Sequence, residues 1–360
     1  MTANDKKFLF KLLSTPSPTG FETPGQRVWA SHVKKHADSV DIDAYGSTWA
    51  ILKGRSAKAP TVMLEAHADE IGYIIKHVSK EGFIYLDRVG GSDAATGRGR
   101  RINILGDKGP VKGIIGNTAI HLRKDSLGNE KAPKIHELYV DVGASSDKEV
   151  NKLGLRVGHP AVYADEPEEF ANGRIVSRAL DNRIGGYIIA QVMAKLAKAK
   201  TRPAATLQCV NAVQEEIGGH GATMITRRLM PDVAVCLDVT HATDTPGISH
   251  TIHGEVKFGA GPSLTHGTCN HPNVVKRLME VAKKAKIPIQ HESSSRYSGT
   301  DTDNISYTGQ GIPSALISLP LRYMHSVVEV VDIGDVEQVI DVLVAFVRSL
   351  KAGDDFALKL

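Results

Sequence analysis

A change of texture in mid-chain constrains this sequence more than any other feature. Residues 82–116 hold nine glycines, about a quarter of the segment, against 34 in 360 residues overall. Across residues 70–165, short β-rich runs at 73–78, 83–86, 111–115 and 137–142 are separated by Gly turns. The one clear helix pattern there is short, near 146–153. Short strands between dense turns predict a small barrel or sandwich rather than layered α/β structure.

On either side, helix and strand alternate. Phe8, Leu9, Leu12 and Leu13 make one helical stripe, stopped by the Pro16, Pro18 and Gly20 turn cluster. Thr23-Pro24 is an N-cap and first-turn pair for a second helix to about residue 37. Strands are predicted at 40–44, 48–52 and 61–67. Later, a helix over 183–198 carries Ile184, Ile188, Val192 and Leu196 four apart. Strands at 206–213, 233–237 and 314–319 then alternate with helices at 222–229, 272–286 and 336–350. Buried apolar runs separated by helices specify a mostly parallel sheet covered on both faces. The fold class is therefore α/β: residues 1–69 and 165–360 form one domain, and residues 70–164 a β-barrel-like insertion.

Composition removes several functions. Lys+Arg 44 against Asp+Glu 40 leaves a net charge of +4, too small to imply nucleic-acid or membrane partners. No apolar run approaches the ~20 residues of a membrane span. The first residues lead into a helix pattern rather than a signal peptide. Cys209, Cys236 and Cys269 form no C-x-x-C pair, which excludes a disulfide framework or a thiolate zinc site and fits a reducing cytoplasm. With three Cys and fifteen His, any metal site must be built from imidazoles and carboxylates.

In open α/β sheets, active sites gather beyond the carboxyl ends of the strands. Those ends are rich in metal-competent side chains. Residues 61–66 lead to His67-Ala68-Asp69-Glu70, 174–180 to Asp181-Asn182-Arg183, and 206–213 to Gln214-Glu215-Glu216. Residues 233–237 lead to Asp238, and 314–319 are followed by Arg322-Tyr323-Met324-His325. One such residue is ordinarily a helix cap or a solvated charge. Capping gives no reason to collect these types at five ends, and unpaired carboxylates in one crevice repel. Two His and three carboxylates, one of them bridging, describe a two-metal centre. Zn²⁺, Co²⁺ or Mn²⁺ suits such donors. In such a centre the ions activate a water and polarise a carbonyl, and one carboxylate stays free as general base. Asp69, two residues from His67, is positioned to take the second imidazole proton.

The runs His67-Ala68-Asp69-Glu70-Ile71-Gly72, Ala179-Leu180-Asp181-Asn182-Arg183, Gln214-Glu215-Glu216-Ile217-Gly218, Leu237-Asp238-Val239-Thr240 and Arg322-Tyr323-Met324-His325-Ser326 occur in this order. Together with Ser298-Gly299-Thr300-Asp301 and Asp244-Thr245-Pro246-Gly247, they resemble the dinuclear metallo-aminopeptidases of the tetrahedral-aminopeptidase family of clan MH. That family also holds glutamyl aminopeptidases and proteins once called cellulase M. The resemblance implies that His67 and Asp238 bind one metal, Glu216 and His325 the other, and that Asp181 bridges them. It further implies Glu215 as general base to a metal-bridging hydroxide and Asp69 as the residue that orients His67. The implied fold is zinc-exopeptidase-like with a PDZ-like inserted domain used in dimerisation. The implied partners are peptide substrates and further copies of the chain, up to a tetrahedral dodecamer. The sequence departs from the family around Gly90-Gly91-Ser92-Asp93 and residues 97–101, a departure expected to leave the metal site alone. Residues 123–134 read as a polar surface loop, or as one reaching a neighbouring subunit's site.

Other candidates carry less. Gly97-Arg98-Gly99 has no helix after it and is no phosphate loop. Ser177, Ser298 and Ser326 lack a nucleophile elbow. His220, His241 and His266 are candidates for substrate contact. Two rival functions use the same residues: an amidohydrolase or deacylase of non-peptide amides, and a non-catalytic assembly protein. A glycosidase needs two carboxylates free to flank the glycosidic bond, whereas most here are assigned to metal.

Overall fold

In the computed structural model, which describes residues 1–122 and 131–360, eight strands among the described residues form the central sheet. Thr206–Ala212, Thr61–His67, Val233–His241 and Ser314–Leu321 run parallel at its centre. Thr48–Leu52 and Ser39–Ile42 extend one side antiparallel. Ser263–His266, antiparallel to Ser314–Leu321, and then Gln290–Ser293 extend the other. Helices Ala3–Ser14, Thr23–Val33, Leu180–Ala197, Pro272–Ala285 and Ile333–Ser349 share one large apolar core with the sheet. His220–Leu229 and Asp301–Ser306 pack into a separate core with Met63, Val210, Ala234 and Leu316. Alternate residues of a strand face opposite sides, so the two cores lie on the two faces. The central strands are buried almost throughout because both faces are covered; every residue of Ser314–Leu321 is buried.

The glycine-dense segment closes into a barrel in the order Gly72–Val78, Ile84–Val89, Tyr139–Asp141, Gly109–Ile115, Arg101–Gly106, Pro160–Tyr163. Its interior is filled by Tyr73, Ile75, Ile84, Leu86, Ile102, Ile104 and Val140. A helix at Asp147–Lys152, capped by the Ser146 hydroxyl, joins its last strands. Of residues 123–134, positions 123–130 lie outside the described residues.

One expected strand differs. The apolar run after Arg174 leaves the extended state at Ser177 and pairs in a small antiparallel sheet with Glu168–Phe170 and Glu329–Asp332, not in the central sheet. Ala179 adopts a left-handed conformation at φ 59° and the helix Leu180–Ala197 begins behind it. Hydrophobicity alone does not separate a buried strand from a buried helix start. Gly185 lets this helix lie close to the sheet: a Cβ there would stand 2.3 Å from Asn182 Oδ1 and 2.9 Å from Ala66 Cβ.

The junction of barrel and sheet is tied by charge. Glu70, 2% exposed, accepts from Arg183 Nη2 at 2.6 Å, from Ser17 N at 2.9 Å and from Arg178 Nη1. Arg183 Nη1 also donates to the Leu12 carbonyl at 2.6 Å, fastening the end of the first helix. Glu70→Ala leaves two buried guanidiniums without their carboxylate. We expect a loss of about 3–5 kcal/mol in denaturant unfolding; a loss below about 1 kcal/mol would contradict this role.

Candidate metal centre

The carboxyl edge of the parallel strands converges on one cavity of about 620 Å³. His67 is the last residue of its strand. Its Nε2 lies 3.2 Å from Asp181 Oδ1, 3.7 Å from Asp238 Oδ1 and 3.9 Å from Glu215 Oε2. Asp181 turns its other oxygen toward His325, Oδ2 to Nε2 3.3 Å, and Glu216 Oε2 stands 3.5 Å from the same nitrogen. Two donor sets result: His67, Asp181 and Asp238, and Asp181, Glu216 and His325. Within each set, one donor atom per residue lies within 4.8 Å of the others. The five residues thus come together with Asp181 common to both sets.

Each arrives by a different local route. The strand Val233–His241 is longer than expected, so Asp238 sits inside it, opposite Ser318. Glu215 and Glu216 occupy a tight turn in which Gln214 has φ 61° and Gly218 and Gly219 are also left-handed, before the helix His220–Leu229. His325 lies at φ 60° on the excursion between Ser314–Leu321 and Glu329–Asp332. Asp69 is fully buried. Its Oδ1 accepts from Glu215 N at 3.0 Å, and its Oδ2 from Glu216 N at 3.2 Å and Thr19 Oγ1 at 2.8 Å. The His67 Nδ1 is 3.2 Å from the Asp69 carbonyl and 3.4 Å from Oδ1. Asp69 therefore holds the turn as well as the imidazole.

Three acids that the sequence reading gave no role join the site. Buried Glu329 accepts from Asp181 N at 3.1 Å and His325 N at 2.8 Å. Behind His67, buried Glu65 and Asp301 face each other, and burial with the Glu65 charge raises the Asp301 carboxyl well above the carboxylate range. Asp301 belongs to the quoted Ser-Gly-Thr-Asp run, and Glu329 follows His325 by four residues; those were the available signals. The inserted barrel contributes too. A Cβ on Gly91 would lie 2.4 Å from His325 Nδ1, and one on Gly90 would lie 3.1 Å from Glu216 Cβ. The departure from the family pattern around Gly90-Gly91 therefore lies beside the site, and both donor sets are nonetheless complete. The barrel's turn abuts two of the site residues, and only a residue without a side chain fits at Gly91. Of the other histidines considered, His241 borders the cavity, whereas His220 and His266 do not line it.

The electrostatics favour a cationic occupant. Burial, together with Asp238, Asp301 and Asp181 and against the pull of His67, pushes the Glu215 carboxyl up to about 10. Burial and the Asp181 charge raise Glu216 and Glu329 far above the carboxylate range. Against its burial, the imidazoles of His325 and His67 hold Asp181 below that range. Glu216 Oε1 has no partner among the described residues. Several acids facing two imidazoles with an orphaned oxygen are a donor set suited to divalent cations of the zinc, cobalt or manganese type.

Comparison with known proteins agrees with this geometry. The family model described as M42 glutamyl aminopeptidase matches residues 46–342. The chain is similar to the lysyl aminopeptidase of Pyrococcus furiosus, 33% identical over 351 residues covering 97% of this chain and 99% of that one. Among solved structures it resembles the TET aminopeptidase of a marine sediment thaumarchaeon, 29% identical with TM-score 0.90 over 96% of each chain. It also resembles PhTET1-12s, a dodecamer in its crystals. That structure is 25% identical with TM-score 0.84, over 96% of this chain and 99% of that one. Among the described residues no helix is long and apolar enough to cross a membrane. The chain belongs to the M42 glutamyl aminopeptidase family and is a hydrolase of the exopeptidase kind.

Proposed function

We propose that this chain is an aminopeptidase that removes N-terminal residues from peptides at a two-metal centre. The observation that carries the reading is the pair of donor sets sharing Asp181. His67 and Asp238 would hold one ion, Glu216 and His325 the other, with Asp181 between them. Zinc or cobalt suits these donors best, and manganese is also compatible. Two such ions lower the pKa of water and polarise a carbonyl oxygen.

The chain's own part is positioning and proton transfer. Glu215, beside His67 in the cavity, has its carboxyl pKa raised by burial and by the neighbouring carboxylates; two cations held among those carboxylates would bring it back to the ionised form. As a base it takes a proton from the attacking water as that water's oxygen bonds to the first peptide carbonyl carbon. It returns that proton to the amine nitrogen as the C–N bond breaks. Asp69 keeps base and imidazole in register by holding the Glu215 amide and the His67 ring together. The Gly91 turn and the walls of the cavity limit the space around the reacting bond.

The same proposal treats residues 1–69 with 165–360 as the catalytic unit and 70–164 as a dimerisation domain. Self-association up to a tetrahedral dodecamer is supported by likeness to PhTET1-12s. A cytoplasmic location fits three buried free thiols.

Glu215→Gln should retain both ions by elemental analysis and lose about 10²–10⁴-fold in turnover of aminoacyl-p-nitroanilides; wild-type turnover would refute the base assignment. Asp181→Ala should lose metal at both positions and His325→Ala at one, so unchanged metal content in either variant would refute the ligand assignment. Gly91→Ala should mimic His325→Ala in metal content, because the added methyl overlaps that imidazole. Two ions retained in that variant would show that the barrel does not shape the site.

A further inference from the structure

We infer that a recess beside the catalytic cavity receives the side chain of the substrate's N-terminal residue and that Glu292 selects a long cationic one, Lys or Arg. This rests on the aminopeptidase reading above. The recess, about 400 Å³, shares Val239, Thr240, Tyr297, Ser298 and Thr300 with the catalytic cavity. Thr240 lies two residues beyond Asp238 on the same strand, so both side chains leave the same face. When the first peptide bond is at the centre, the α-carbon beside it carries the side chain that must enter a space opening from the reacting atoms. The rest of the peptide extends toward solvent.

The chemistry of the recess is polar and carries one carboxylate. Its inner wall holds Thr265, Leu316 and Ser318, all buried. Glu292 stands opposite Thr265 in the pairing of the two outer strands. Its Oε1 accepts the Thr240 hydroxyl at 2.7 Å, which fixes the carboxylate relative to the strand bearing Asp238. Its Oε2 is shielded from solvent and has no hydrogen-bond partner among the described residues. A carboxylate oxygen out of water without a donor is unfavourable. An ammonium or guanidinium at the end of a long aliphatic stem supplies both donor and charge. An aliphatic side chain leaves that oxygen unpaired, and an acidic one adds repulsion. Arg296 also borders the recess, but it is exposed and its guanidinium lies 5.9 Å from the Tyr297 ring centroid, at the outer lip. Its pull on an acidic side chain is the opposing possibility.

The test measures kcat/KM for Lys-, Arg-, Leu- and Glu-p-nitroanilide with metal-reconstituted wild type and Glu292→Gln. The amide is isosteric, can still accept from Thr240 and removes the charge. Wild type should prefer Lys and Arg over Leu, with Glu last, and Glu292→Gln should lower the Lys-to-Leu ratio by about tenfold or more. Preference for Leu or Glu in wild type, or one common factor for all four substrates in the variant, would overturn the inference. Calorimetric binding of free lysine, leucine and glutamate to the same two proteins reads the recess without turnover. Lysine should bind most tightly and lose about tenfold in the variant, and tighter leucine or glutamate would overturn the inference. Absence of turnover on the whole panel would sink the aminopeptidase reading, while the binding series still decides the recess.

Discussion

Asp181 stands between two imidazoles, with one carboxylate oxygen toward each, and much of the surrounding structure serves to keep it there. The left-handed turn at Ala179 throws the chain out of its strand so that Asp181 faces the cavity. Its amide is held by Glu329 and the next side chain, Asn182, donates to the Leu237 carbonyl at 2.7 Å. Leu237 precedes Asp238, so the shared acid and one of its neighbours are set by a single hydrogen bond. Two buried acids act as clamps on backbone amides. Asp69 holds Glu215 and Glu216, and Glu329 holds Asp181 and His325. A carboxylate bound to amides positions a loop without competing for the cavity.

The inserted barrel belongs to the same design. It begins at Gly72, five residues beyond His67, and its Gly90-Gly91 turn returns against Glu216 and His325. A domain that hung free on its two connections could not hold a Cβ-sized tolerance at an imidazole. The Glu70–Arg178–Arg183 group supplies the stiffness at the point where the chain leaves the sheet. Loops carry the functional groups, and rigid elements beneath them give those groups their precision.

Much of this was legible in the sequence because parallel strands present their carboxyl ends to one crevice. His67, Glu215, Glu216, Asp238 and His325 could be collected by reading those ends alone. Asp181 was collected for a wrong reason: its segment was read as a strand of the main sheet, whereas it leads a helix after a small separate sheet. The barrel was legible from glycine density, but its contact with His325 was not, since an interdomain approach leaves only a missing side chain as its mark. Glu329 and Asp301 escaped notice because a lone acid near a strand or at the start of a helix ordinarily marks solvent or a cap. Their burial, which makes them informative, is a tertiary property.

Asp69 and Glu70 show how adjacent acids at a strand end are given opposite tasks. Their side chains point to opposite sides of the extended chain. Asp69 faces inward, is satisfied by amide and hydroxyl donors, and keeps its negative charge beside His67. Glu70 faces the other way, and its charge is cancelled by two guanidiniums. An uncancelled Glu70 would add to the repulsion that already raises Glu215 and Glu216. The two arginines flank Asp181 in sequence, so the groups that neutralise Glu70 also fasten the turn carrying the shared acid. A buried ion pair contributes little net stability against an apolar replacement of the same shape. Here it joins the strand end bearing His67 to the turn bearing Asp181, and an apolar pair in its place could fill the volume without fixing that registry.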